Sequence, residues 1–339
     1  MADEKLNAVL VGCGYWGKNL LRNIVTSNNF RLVAVVEPNR ASLDVVKHLI
    51  KEVKVYQSIE ELTLSEIDAA FIATPATTHY SISKEFIMNG IHVWVEKPLA
   101  LKLAEVKSIF DLCSRKKVQV FVDYTFIFNS AVRKIKDIVD SGELGVVYFV
   151  NSIRQNFGIV HKDVDVIWDL AVHDFAIYSF IFGNLEGGIS SHETLPIQGL
   201  PSVASSINFQ SSIGPTFQVS VNWLSPEKLR KMTIIGSEKS LVYDDTNSVE
   251  PIKIYDRSLS RYNSEIKQLQ LSSFRYGDVY SPIFETKEAL SIGVMDFADK
   301  ISRNDSKSVR DMSIWISKCL EASKESSLSK GKQVLVKNE

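Results

Sequence analysis

Cysteine is scarce in this 339-residue chain: Cys13, Cys113 and Cys319 are three, an odd number, and far apart. That excludes a disulfide framework and fits a reducing cytoplasm. No run of about 18 apolar residues occurs, so a membrane-spanning helix is not expected. The apolar stretch Leu6–Val11 behind Met-Ala-Asp-Glu-Lys is too brief for the core of a secretion signal. Neither sign of charge predominates. Lys and Arg total 39 against 40 Asp and Glu, a formal net charge of −1, so the basic surplus of a nucleic-acid binder is missing. Internal repeats and low-complexity tracts are absent too. At roughly 100–200 residues per domain, the length predicts two domains, and the expectation is a soluble, cytoplasmic protein.

What is there has a clear order. Ala8–Val11, Leu32–Val36, Ala69–Ala73, His92–Val95 and Gln119–Val122 are continuous apolar runs, the pattern of strands covered on both faces. Helical patterns lie between them at Trp16–Thr26, Arg40–Leu49, Ile82–Asn89 and Leu103–Lys116, with Gly90 placed as a helix C-cap. Strand and helix in alternation predict a doubly wound parallel α/β sheet over residues 1–123. After that the texture changes. A helix is expected over Ser130–Ser141, then strands at Val146–Ile153, Val203–Phe209, Thr216–Trp223, Met232–Ile235 and Leu241–Asp244. Phe217, Val219, Val221 and Trp223 alternate with polar residues, which favours antiparallel pairing with one face packed. Ile235–Leu241 reads as a hairpin. Helical signals return at Val164–Phe182 and Lys287–Ile301, and a last helix at about 308–328 ends the ordered chain before a polar Ser/Lys/Gly segment. Residues 124–339 are therefore predicted to be an α+β domain with an open, mostly antiparallel sheet.

Gly12-Cys13-Gly14-Tyr15-Trp16-Gly17 follows the first strand and opens the first helix. The first glycine permits a tight turn, the second lets the backbone approach a pyrophosphate, and the third lets helix and strand pack closely. Phosphate charge then meets unpaired N–H groups at the positive end of the helix dipole. Glu37 stands at the end of the second strand, where a carboxylate accepts hydrogen bonds from the adenosine ribose and repels a 2′-phosphate. The expected cofactor is NAD rather than NADP, although Arg40, three residues on, is placed to reach such a phosphate. A glycine turn with an incidental surface glutamate is the plain alternative. Cys13 reads as a small packing residue.

Glu96-Lys97-Pro98 ends another strand, on the side where open parallel sheets bind ligands, and Pro98 holds Lys97 extended. In the second domain, Trp168-Asp169-Leu170-Ala171-Val172-His173-Asp174 reads as a helix start. Four residues separate Asp169 from His173, so they share a helical face, with Asp174 rotated roughly 100° away. Imidazole is suited to accept a hydroxyl proton near neutral pH; a surface i,i+4 pair is the bland reading. Arg154, Asn156 and His161 precede this helix, and Arg154 either meets an anionic substrate group or is an exposed strand residue. The series His161, Asp163, Asp165, Asp169, His173 lacks a compact ligand spacing, and no metal is expected. Tyr124, Phe126 and Phe128 read as packing.

Taken together, the glycine loop, Ala73-Thr74-Pro75 with His79, Glu96-Lys97-Pro98, Ser141–Gly145, Asp169 to His173 and Leu320-Glu321-Ala322 resemble the Gfo/Idh/MocA family. This is the glucose–fructose oxidoreductase and inositol dehydrogenase group. The resemblance implies a Rossmann domain plus a substrate domain on an open sheet, often paired face to face in oligomers, and reversible oxidation of a sugar or cyclitol hydroxyl. It places Gly12, Gly14, Tyr15, Trp16, Gly17, Thr74, Pro75 and His79 along the dinucleotide, and Glu96 and Lys97 near the nicotinamide ribose. It makes Lys97 and His173 the catalytic pair, with Asp169 touching substrate or orienting the histidine. Arg154, Asn156 and Trp168 are the candidate substrate contacts. One departure is Ala176, where many members carry an aspartate three residues after the histidine. Gly14–Asn23 and Ile167–Ala171 look most like members linked to surface-polysaccharide sugar nucleotides, which implies, for example, 3-oxidation of a UDP-hexosamine uronate. The alternatives are a dehydrogenase of free sugars or inositols, and a non-catalytic dinucleotide-binding regulatory protein on the same fold. A homodimer or tetramer is expected, and neither nucleic acid nor membrane is an expected partner.

Overall fold

The apolar runs of the first half become the interior of a parallel sheet. In the computed structural model, which describes residues 5–338 apart from 51, 159, 161–162, 195–200 and 260–273, the chain begins with β1 (Leu6–Val11), α1 (Gly17–Thr26), β2 (Phe30–Val36), α2 (Arg40–Leu49) and β3 (Lys54–Tyr56). It continues through β4 (Ala69–Ile72), α3 (Ala76–Met88), β5 (His92–Glu96), α4 (Leu103–Lys116) and β6 (Val120–Asp123). Then come α5 (Ser130–Asp140), β7 (Val147–Phe157), a π-helical turn (Ile167–Ala171) and α6 (Val172–Phe182). Strands β8 (Gly187–Thr194), β9 (Ala204–Ser211), β10 (Thr216–Asn222) and β11 (Leu224–Gly236) follow, with β12 (Ser240–Asp244), β13 (Ile252–Leu259) and β14 (Phe274–Tyr280). Helices α7 (Ala289–Arg303) and α8 (Lys307–Leu328) and strand β15 (Val334–Val336) complete the order.

Contacts divide the chain into two units. Met1–Phe128 group with Lys287–Ser317, and Asn129–Thr286 with Lys318–Glu339. In the first unit the strand order is β3-β2-β1-β4-β5-β6, all parallel. The chain builds outward from β1 to β3 and then restarts at β4 on the other side of β1. Their carboxyl ends therefore flank a topological switch point, where open α/β sheets bind ligands. Beneath the sheet, Phe30, Phe71, Trp94, Phe121 and Phe297 form one aromatic cluster, with Trp94 stacked on Phe121 at 4.2 Å between ring centres. Phe297 lies on α7. Its ring meets Phe30, Phe71, Trp94 and Phe121, and Gly293 brings the helix close to Trp94. Aromatic burial of this size draws residues 287–317 into the first unit. The single division at 123/124 does not show that return.

In the second unit the strand order is β14-β13-β12-β11-β7-β10-β9-β8-β15, antiparallel except for β7 with β10. Phe217, Val219 and Val221 of β10 are buried while Gln218 is exposed, as the alternation predicts. Helix α6 covers the buried face: Tyr178 stacks on Phe217 at 4.6 Å and its hydroxyl donates to the Pro215 carbonyl. The helical pattern at Val164–Phe182 corresponds to the π turn and α6. Residues after 328 do not trail off as an unstructured polar segment, because Val334–Val336 pair with Gly187–Ile189. Among the described residues no helix is long and apolar enough to cross a membrane. All three cysteines are buried free thiols.

Candidate active site

The glycine loop starts where β1 ends. Gly12 has φ +89°, a left-handed conformation that favours glycine, and a Cβ there would fall 2.5 Å from the Ala73 carbonyl oxygen. Gly17 opens α1 against Gly12: a Cβ would lie 2.2 Å from the Gly12 oxygen. Gly14 differs: among the described residues no atom lies within 4 Å of its missing Cβ. Two glycines are thus occupied by protein backbone and the middle one faces open space. This is the cradle that a pyrophosphate requires. Helix α1 has no capping side chain and no acidic residue in its first turn, so no side-chain charge opposes an anion at its positive end, although the Lys18 and Asn19 N–H groups already donate to the Gly14 and Trp16 carbonyls.

Glu37, just past β2, locks the loop. Its carboxylate accepts from the Cys13 backbone N–H at 2.7 Å and from the Asn39 N–H at 3.0 Å. Burial raises the Cys13 thiol, the Glu37 charge adds to the rise, and Lys18 opposes it, so Cys13 is a packing residue. Arg40 is exposed and donates to the Gln57 side chain at 3.4 Å. Tyr15 is almost wholly exposed, and Trp16 partly so.

On the other side of the switch point, Thr74 and Pro75 lead into α3, and Thr78 Oγ1 donates to Thr74 Oγ1 at 2.8 Å. His79 stands behind this wall, 1% exposed. Its Nδ1 and Nε2 sit 2.8 Å from the carbonyls of Pro98 and Thr74 respectively. The ring therefore ties the β4 turn to the Lys97–Pro98 step, whose peptide bond is cis. Lys97 is half-buried. Glu96, before it, is buried beside Asp123 of β6 and Lys97, and its carboxyl is held well above the usual range. Desolvation is the main cause and the Asp123 charge the next, with Lys97 and Trp16 opposing. Asp123 is not among the residues the sequence motifs single out. The signal for Asp123 was available: an acid closing the apolar run Val120–Val122.

The second unit gathers the other candidates around the π turn. The Asp165 carboxylate accepts from the N–H groups of Ile167 and Trp168 and binds Lys324 at 2.8 Å. Asp169 accepts from the Trp223 indole N–H at 3.1 Å. A π turn carries i→i+5 bonding, so the step from Asp169 to His173 crosses a joint between two helix types rather than one even α face. His173 is half-buried with its Nδ1 shielded from solvent. Trp168 is buried and Asn156 half-buried. Arg154, expected at the pocket mouth or on an exposed strand, is instead 5% exposed, with Nε 3.0 Å from Asp174, which also accepts from Ser152 Oγ at 2.7 Å. An arginine brought this far inside needs a carboxylate partner, and Asp174 is that partner. His161 lies outside the described residues. Among the described residues no group of three or more His, Cys, Asp or Glu side chains is placed to hold a metal.

Comparison with known proteins adds to this geometry. Residues 6–124 match the family model described as an oxidoreductase family with an NAD-binding Rossmann fold. Over 197 residues the chain is 26% identical to scyllo-inositol 2-dehydrogenase (NAD(+)) of Bacillus subtilis (strain 168), covering 56% of this chain and 58% of that protein. Over 193 residues it is 24% identical to dTDP-3,4-didehydro-2,6-dideoxy-alpha-D-glucose 3-reductase of Streptomyces violaceoruber, covering 53% and 55%. The chain thus spans about half the length of the curated relatives it matches. UDP-N-acetylglucosamine 3-dehydrogenase GnnA from Acidithiobacillus ferrooxidans superposes with a TM-score of 0.78 over 96% of this chain and 97% of that one, at 17% identity. This last likeness is one of fold.

Proposed function

Residues 6–124 belong to the Gfo/Idh/MocA oxidoreductase family, and from that premise we propose that the chain is an NAD-dependent dehydrogenase or ketoreductase of a nucleotide-linked sugar. The observation that carries the cofactor reading is the Glu37 carboxylate. It stands at the carboxyl end of β2 and is hydrogen-bonded into the glycine loop. There it accepts from ribose hydroxyls, and its charge disfavours a 2′-phosphate. Arg40 turns to Gln57, which supports NAD over NADP. The open space at Gly14 fits the pyrophosphate.

The nicotinamide supplies hydride exchange when bound. The chain's own residues handle the proton and the charge. Lys97 hydrogen-bonds the reacting hydroxyl oxygen and stabilises the negative charge that grows there. His173 takes the hydroxyl proton at an imidazole nitrogen. Asp169, steadied by Trp223, orients the histidine or meets a substrate hydroxyl, and Trp168 and Asn156 add substrate contacts. The subtype rests on resemblance at Gly14–Asn23 and Ile167–Ala171, supported by the sugar-nucleotide enzymes to which the chain is similar. The second unit's exposed Phe157 and Tyr276 support association of like chains.

Lys97→Ala and His173→Ala are each expected to abolish turnover with NAD binding largely retained. Normal turnover by either variant refutes its assigned role. Mass analysis of small molecules released by denaturing the purified protein tests the cofactor, and a panel of UDP- and dTDP-sugars against free inositols tests the substrate class. Bound dinucleotide with both residues dispensable would favour the regulatory reading.

A further inference from the structure

Two acids at the ends of adjacent strands have no role in the reaction as described. Parallel register sets Glu96 opposite Asp123 at the last step of β5 and β6. They are 8% and 1% exposed. Glu96 Oε1 and Asp123 Oδ2 are shut off from solvent, and among the described residues no N–H or O–H donor reaches either. An ionised carboxylate can only accept hydrogen bonds, so two bare carboxylates here would leave dry lone pairs facing like charge. Three groups do face the pair. Thr125, from the turn after β6, donates its hydroxyl to Asp123 at 2.9 Å. Trp16, at the start of α1, and the Lys97 ammonium at the end of β5 are the other groups that act on the two carboxyls, both favouring their charged form.

We propose that Glu96 and Asp123 hold one proton between them, and that this singly charged pair, through its charge on the Trp16 side, positions the glycine loop. A proton on either carboxyl turns it into a donor and supplies the missing hydrogen bond. Carboxyl groups in contact in a dry site share a proton because both cannot ionise there. Burial pushes both groups upward, in keeping with this. Trp16 belongs to the glycine loop, so the pair fixes the loop from beneath. Asp123 and Trp16 are positioning residues in this arrangement. The link to dinucleotide rests on the function proposed above. When the pair gives its proton to solvent at high pH, a second negative charge arises under the loop, and dinucleotide affinity falls.

Infrared spectroscopy of the cofactor-free protein tests the shared proton without reference to catalysis. The expected spectrum at neutral pH carries a protonated-carboxyl C=O band that shifts in D2O and is lost in Asp123→Asn and, separately, in Glu96→Gln. Absence of the band in the wild type, or its survival in both variants, overturns the proposal. Should the variants fail to fold, the wild-type band alone decides, because it must vanish with a one-proton titration as the pH rises. Calorimetric NAD affinity is expected to be several-fold weaker at about pH 9 than at neutral pH in the wild type and level in Asp123→Asn. Equal pH dependence in the two proteins overturns the link to the loop. A chain that shows the band but binds no dinucleotide supports the proton pair and refutes the cofactor reading, so the two failures are distinguishable.

Discussion

Alanine at Gly14 and alanine at Gly12 are expected to fail in opposite ways. At Gly12 the new Cβ must share space with the Ala73 carbonyl oxygen at 2.5 Å while the backbone holds φ +89°. The left-handed conformation alone costs about 1–2 kcal/mol for an alanine. The overlap is with backbone that cannot rotate aside, so a total of roughly 2–4 kcal/mol is expected. At Gly14 nothing among the described residues lies within 4 Å of the added methyl and φ is not positive. Stability should hold or rise by about 0.4–1 kcal/mol, because the unfolded chain loses freedom. The methyl then stands where a pyrophosphate must approach. Losing one charge-assisted hydrogen bond costs about 1.5–3 kcal/mol, which is roughly ten- to a hundredfold in NAD affinity. Urea unfolding followed by circular dichroism, paired with calorimetric NAD titration, separates the two effects. If Gly14→Ala unfolds as easily as Gly12→Ala, or binds NAD as the wild type does, the division of labour within the loop is refuted.

Other outcomes follow from side chains already placed. Glu37→Ala removes the acceptor of the Cys13 and Asn39 N–H groups and should weaken NAD binding while relaxing discrimination against NADP, measured as the ratio of the two affinities; an unchanged ratio counts against the ribose role. Arg154→Ala strands the buried Asp174 carboxylate, so a loss of about 3–5 kcal/mol is expected in denaturant unfolding; a stable variant with a raised KM would instead make Arg154 a substrate ligand. Burial lowers the His92 pKa, with Asp68 opposing, and its Nδ1 accepts from the Gln119 N–H at 2.8 Å. The folded state thus prefers the neutral ring, and this contribution is present above the unfolded value of about 6.5 and lost as pH falls below it. Unfolding midpoints followed from neutral to mildly acidic pH should drop less in His92→Asn than in the wild type; parallel curves would exclude His92 as the source.

The parallel half was legible because its strands are buried on both faces and so read as unbroken apolar runs. Each run located one of β1, β2, β4, β5 and β6 to within two residues. What escaped has specific causes. Strand β3 has three residues, too few to show a period. Helix α3 begins at Ala76, six residues before the expected Ile82, since Pro75 and two threonines carry no apolar rhythm. Strand β8 starts Gly187-Gly188 and continues through Ser190, Ser191 and His192. Glycine and serine mask it, although pairing with β9 and β15 holds it in the sheet. At the candidate site, residues bound to main chain at strand ends could be read from position alone, as with Gly12, Gly17 and Glu37. Arg154 and Asp174 lie twenty residues apart on a strand and a helix, and nothing in their spacing announces that they meet.

The π turn at Ile167–Ala171 holds one residue more than a regular α-helix needs there. Excising a single residue would let ordinary i→i+4 bonding run straight into α6, with no lost backbone partner. Taken from between Asp169 and His173, that residue would nevertheless shorten their separation by one position, a step of roughly 100° about a regular helix, and carry Asp169 away from the Trp223 indole. The phase of the winding, set by one extra amino acid, therefore decides which way the acid points, and a length change too small to disturb the fold is enough to disarm that corner.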